Sequence, residues 1–197
     1  MSHGLNSAPG FIIIKRRDST VDWVNYHSAL GVDKYVQLNL TSAATTSSGY
    51  WGTVNSNTFG LPSFSTPNAS GGTFVAYCFA PVEGYSAFGS YTGNGSADGP
   101  FVYTGSGFKP AFILIKGSSF TSNWFIQDNE RDGYNVNDGV ALRPNLANAE
   151  DGTTSYNLDI LSNGFKLRTS AADANTNGET FVWVAFAEHP FKTARAR

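Results

Sequence analysis

The chain has 197 residues, 41% hydrophobic, 14% aromatic and 14% charged, with 21 glycines and a formal net charge of −2. That is enough apolar material for one sizeable β domain, or for two small lobes on a shared core. A pI near 5.9, with basic clusters only at Lys15-Arg16-Arg17 and at Lys192, Arg195 and Arg197, excludes the concentrated positive field that wrapping nucleic acid requires.

The first ten residues, MSHGLNSAPG, lack the charged start and apolar core of a secretory signal. The apolar runs are far shorter than the roughly 18 residues of a membrane span, so neither export by that route nor membrane insertion is expected. The next segments read as strands: Phe11 to Arg16, Trp23 to His27, Tyr35 to Asn39, a weaker run around Thr58 to Leu61, and Thr73 to Pro81. Between them, Tyr50-Trp51 lies in a stretch rich in Ser, Thr and Gly. These two are the candidate ligand-binding residues, placed to stack against a sugar ring; the alternative is that Trp51 folds back over the sheet edge, as largely buried tryptophans do. The single cysteine, Cys78, falls in an apolar run and reads as a buried, inert thiol with no disulfide partner.

From Phe88 to Lys116 the chain carries two β-like runs, Phe88 to Thr92 and Pro100 to Thr104, around the glycine-rich loop Gly93 to Gly99. Ala111 to Lys116 follows, aliphatic and without polar alternation, as in a strand covered on both faces. Further strands are expected at Asn123 to Gln127, Val140 to Arg143, Asn157 to Leu161, Phe165 to Arg168 and Thr180 to Ala187. Ser162-Asn163-Gly164 gives the strongest hairpin signal. No helical periodicity of useful length exists; Pro144 to Asp151 comes nearest. The expected fold is all-β.

The chain also repeats itself. Ala8-Pro9-Gly10-Phe11-Ile12-Ile13-Ile14-Lys15 matches Lys109-Pro110-Ala111-Phe112-Ile113-Leu114-Ile115-Lys116 at an offset of 101 (112 minus 11), and Trp23 falls on Trp124 at that same offset. Asn39-Leu40, Tyr50 and Phe59 match Asn145-Leu146, Tyr156 and Phe165 at 106 (145 minus 39), and Thr73 to Ala80 matches Thr180 to Ala187 at 107 (180 minus 73). A period near one hundred residues indicates a duplicated module, since solenoid repeats are shorter. The expectation is two related antiparallel β-sandwich-like halves with pseudo-twofold symmetry, residues 1–84 and 85–197, in one compact unit. The second copy is led in by Phe88 to Thr92. The counterpart of that strand, 101 residues earlier, would lie upstream of Met1. The first copy is therefore expected to have an open edge, filled by a strand from another chain or from an upstream part of a longer polypeptide.

The segments SAPGFIIIKRRDSTVDWVNYHSALG, GTFVAYCFAPVEGYSAFGSYTGNGSADGPFVYTGSGFKPAFILIK, LSNGFKLRTS and FVWVAFAEHPFK closely resemble a β-rich module of structural proteins of tailed bacteriophages, above all marine and cyanobacterial phages. The resemblance implies a virion component assembled in the host cytoplasm: a tail-fibre or appendage module that self-associates, with a trimer favoured, and contacts other virion proteins and a host-surface polysaccharide or protein. A capsid decoration protein is the alternative, and a polysaccharide depolymerase a third reading.

No catalytic, cofactor or metal residues emerge. His3, His27 and His189 have no second histidine or cysteine at ligand spacing, no Gly-x-Ser-x-Gly elbow is present, and Gly93-Asn94-Gly95 with Gly99 misses the dinucleotide spacing. Asp128 to Gly133 resembles the first half of a calcium loop, but Gly139 stands where a bidentate Glu is needed. It reads as a solvated turn with an internal Arg131 ion pair.

Overall fold

The computed structural model describes residues 1–61, 65–105, 107–131, 140–150 and 154–189. The regular secondary structure of the described residues is almost all antiparallel strand. In the first part, β1 (Phe11–Arg16), β2 (Val24–His27), β3 (Lys34–Gln37), β4 (Thr45–Thr46) and β5 (Phe74–Phe79) form a five-stranded sheet in the order β4-β3-β2-β1-β5. In the second part, β6 (Ser86–Thr92), β8 (Pro110–Gly117), β9 (Trp124–Asp128) and β12 (Thr180–Ala187) form a four-stranded sheet in the order β6-β12-β8-β9. The third sheet, β10-β11-β7, joins β7 (Phe101–Tyr103), β10 (Leu158–Leu161) and β11 (Gly164–Leu167). The only α-helical turns among the described residues are α1 (Ser65–Asn68) and α2 (Ala172–Asn175). Residues 144–150 are turn and irregular.

The two larger sheets share their pairing and register. Phe11 pairs with Phe79 and Ile14 with both Val24 and Ala76. At the sequence offsets of 101 and 107, the corresponding pairs are Phe112 with Phe186, Ile115 with Phe125 and Ile115 with Trp183, and all three form. The agreement extends outside the strands. Trp23 N–H donates to Asn39 Oδ1 at 2.9 Å, and Trp124 N–H to Asn145 Oδ1 at 3.0 Å. The isolated bridges Ser2 to Thr58 and Val54 to Phe59 match Tyr103 to Gly164 and Ile160 to Phe165 of the three-stranded sheet. The weak run at Thr58 to Leu61 is thus reduced to single bridges, where its counterpart is a full hairpin.

Side-chain alternation gives each large sheet two covered faces. Phe11, Val36, Leu114, Trp124 and Val184 form the core between the sheets, joined by Ile13, Phe79, Phe112 and Phe186. Ile12, Ile14, Val24 and Tyr26 point the other way and are covered by Tyr50, Trp51 and Phe59. On the far side of the second sheet, Ile113, Ile115, Phe125, Phe181 and Trp183 pack against Val102, Leu158, Ile160, Phe165 and Leu167 of the three-stranded sheet.

The β10-β11 hairpin forms with Leu161 paired to Gly164, but the glycine serves packing. Gly164 does not have a positive φ; a Cβ there would lie 2.1 Å from the Val102 carbonyl oxygen of β7. Val140 to Arg143 contributes one bridge, Ile126 to Leu142. Trp124 is 1% exposed and donates its indole N–H to Gln37 O at 2.9 Å. Its counterpart Trp23 is only half-buried, beneath the Lys15 ammonium.

Candidate functional site

The feature that distinguishes the two large sheets is an edge. Gly10 N–H donates to Phe79 O and Arg17 N–H to Thr73 O, each at 2.8 Å, so the odd-numbered residues of β5 turn their backbone groups toward β1. Antiparallel alternation turns those of Phe74, Ala76 and Cys78 outward. No described strand pairs with that side of β5, and Ala76 and Tyr77 are exposed. The corresponding residues of β12, Phe181, Trp183 and Ala185, face Tyr91, Gly89 and Ala87 of β6. The first sheet therefore stops at the strand against which the second sheet adds one more.

Beside this edge lies a pocket of about 390 Å³, lined by Met1, Ile14, Leu61, Pro67, Phe74 and Ala76 among others. Their counterparts at the offsets above are Val102, Ile115, Leu167, Ala174, Phe181 and Trp183, all buried in one cluster. Two side chains fill that space in the second half. Tyr91 of β6 stacks on Phe181 with centroids 4.9 Å apart and donates its hydroxyl to Ala174 O at 2.6 Å. Trp183 meets Phe165 edge-on at 5.8 Å. In the first half Ala76 stands in place of the tryptophan and no described strand supplies the tyrosine, so an apolar hollow lies next to an edge that no described strand pairs.

The residues singled out for sugar stacking are placed elsewhere. Tyr50 is 5% and Trp51 0% exposed. Tyr50 stacks on Tyr35 at 4.2 Å, Trp51 meets Tyr26 edge-on at 5.5 Å, and the Trp51 indole donates to Lys34 O at 2.9 Å. The pair is thus core, because the outer face of the first sheet is apolar and Tyr50 and Trp51 cover it together with Phe59; this is the alternative in which Trp51 folds back over the sheet. Burial raises the Tyr50 hydroxyl pKa, with Tyr35 adding to it. Cys78, read as buried, is half-buried on the edge strand, and burial raises its thiol pKa.

Arg131 pairs with Asp128 at 2.7 Å and with Glu150 at 3.1 Å. Asp128 also accepts from the Glu130 and Arg131 amides; although burial opposes it, these partners hold its pKa below the usual carboxylate value. Asp132, Gly133 and Gly139 lie outside the described residues, as do Lys192, Arg195 and Arg197. Among the described residues no group of three His, Cys, Asp or Glu is placed to hold a metal ion.

Three buried polar residues escaped the sequence reading. Asn175, 0% exposed, exchanges hydrogen bonds with Asn94 and donates to Ser96 O and Thr169 O at 2.8 Å, so it fixes the loop between β6 and β7. Lys116, also 0% exposed, donates to Gly117 O, Ser122 Oγ and Thr41 O at 2.7, 3.1 and 3.2 Å. Desolvation lowers its pKa to about 8, with Asp173 acting in the opposite sense. His27, 1% exposed, reaches from the first sheet to Trp183 O of the second. Only the Asn94 to Asn175 pairing had a sequence signal, in the glycine-rich loop that needs a clamp.

Residues 1–190 match the family described as Domain of unknown function (DUF7483). No curated protein and no solved structure matches the chain.

Proposed function

We infer that this chain, which belongs to the family of the domain of unknown function DUF7483, is a structural module of a bacteriophage particle, a tail-fibre or appendage component that works by assembly and surface attachment. The observation that supports it is the open outer side of β5 with its apolar pocket. A bare strand edge beside a hydrophobic hollow is an association site, and a protein keeps one where a neighbour covers it. The two large sheets are, on this reading, copies of one duplicated module, which accounts for their common registers. The first copy then differs in having no described strand against its edge.

The absolute mass of the purified protein, by light scattering after size exclusion, tests the fibre role. A closed trimer is the expected result for a fibre module. A strict monomer overturns the fibre role in favour of a capsid decoration protein that engages only in the particle. Turnover of capsular polysaccharide by the purified chain overturns the structural reading as a whole.

A further inference from the structure

We propose that the outer side of β5 accepts one antiparallel strand from a partner polypeptide, bearing a bulky apolar side chain opposite Ala76 and another opposite Phe74. The proposal deepens the assembly reading above by naming the chemistry of the partner segment.

The chain contains its own template. β6 runs antiparallel along β12 from Thr92 opposite Thr180 to Ser86 opposite Phe186. Its Tyr91, opposite Phe181, fills the space that corresponds to the pocket. Gly89, opposite Trp183, has to be glycine: a Cβ there would come within 2.6 Å of the Trp183 ring. At β5 these constraints change in a definite way. Phe74 occupies the place of Phe181, so an aromatic residue opposite it can stack as Tyr91 does. Ala76 occupies the place of Trp183, so the residue opposite it is released from being glycine and has to be large if the hollow of about 390 Å³ is to be filled. Main-chain bonds to Phe74, Ala76 and Cys78 give such a strand its register, and the alternate side chains give it selectivity.

A second copy of this chain is the less fitting occupant. Pairing of β5 with β5 is a twofold contact that closes a dimer, whereas the fibre reading calls for a threefold assembly. It also offers only Phe74, Ala76 and Cys78 on the pocket side, and Phe74 already lines the pocket of its own copy.

The test grafts the strand. A copy of residues 85–101 is fused directly ahead of Met1, the position that corresponds to Val102, in two versions: the native segment and one carrying Gly89→Trp in the grafted copy. Each is made in the native chain and in an Ala76→Trp chain. Amide hydrogen exchange at Phe74, Ala76 and Cys78 and alkylation of Cys78 are then measured, with size exclusion recording the oligomeric state. In the native chain the Gly89→Trp graft should slow exchange of those three amides at least tenfold more than the native graft. In the Ala76→Trp chain the order should reverse, because two indoles then compete for one space. The amides of Val75 and Tyr77, directed toward β1, serve as internal controls. The proposal fails if neither graft slows exchange, or if the two rank alike in both chains. It also fails if the ungrafted protein already protects these amides through pairing with a second copy. None of these readouts depends on membership of a phage particle, so failure here leaves the virion reading standing, and the reverse also holds.

Discussion

Acid should loosen this protein through one buried imidazole. His27 Nε2–H donates to Trp183 O at 2.9 Å, and Ala29 N–H donates to Nδ1 at 3.2 Å. The neutral ring therefore uses both nitrogens, and protonation would set Nδ1–H against the Ala29 amide and place a charge between the rings of Phe11 and Phe88. Burial lowers the pKa from 6.5 to about 4, against the raising effect of the Trp183 carbonyl. Between those two values the unfolded chain binds a proton that the folded chain refuses. The stability associated with neutral His27 is thus complete above pH 6.5, declines as the pH falls toward 4, and levels off below it. A difference of 2.5 units (6.5 minus 4) at about 1.4 kcal/mol per unit comes to about 3 kcal/mol, a large share of the roughly 5–15 kcal/mol that a domain possesses. Urea unfolding from about pH 7.5 to pH 4, on the native chain and on His27→Gln, isolates this effect, since the carboxylates common to both cancel. The glutamine amide keeps a donor for Trp183 O but has no proton to take up. The stability difference should move by about 3 kcal/mol in favour of the variant across that range. A difference independent of pH would refute the reasoning.

Two further substitutions probe the core. Asn25 is 0% exposed and neither polar atom of its side-chain amide has a partner among the described residues, while its counterpart Ile126 packs at the same core between the sheets. Asn25→Ile should stabilise the protein by about 1–3 kcal/mol in urea, and an unchanged or lower midpoint would count against it. Trp51→Ala should cost about 3–5 kcal/mol as a large-to-small change in a closed core, with an unaltered midpoint as the contrary result.

Much of the architecture could be read directly. The strands at Phe11, Phe112 and Thr180 were legible because β-branched and aromatic runs between turn residues have few other ways to be buried. Residues that match at the offsets of 101 and 107 occupy matching rungs of their ladders, although the pairings themselves could not be read from the offsets. The expected open edge falls on the outer side of β5, where no described strand pairs. What a one-dimensional pattern leaves undetermined is the partner across space. Tyr50 and Trp51 sit in polar surroundings along the chain yet are core, because the outer face of the first sheet, built from Ile12, Ile14 and Tyr26, needs a cover and this loop supplies it. Lys116 is a lone cation at the end of an aliphatic run, and its burial depends on Thr41, 75 positions away, joining the nearby Gly117 and Ser122 around its ammonium. The pocket beside Ala76 depends on a small side chain at an edge that no described strand pairs, with Ile14, Leu61 and Pro67 as its walls. Local propensity determined where the strands run, and the offsets which residues of the two sheets correspond. Only the packing of residues tens of positions apart decided which surfaces are closed and which edge remains to be covered, because burial is a property of the assembled neighbours and not of the residue alone.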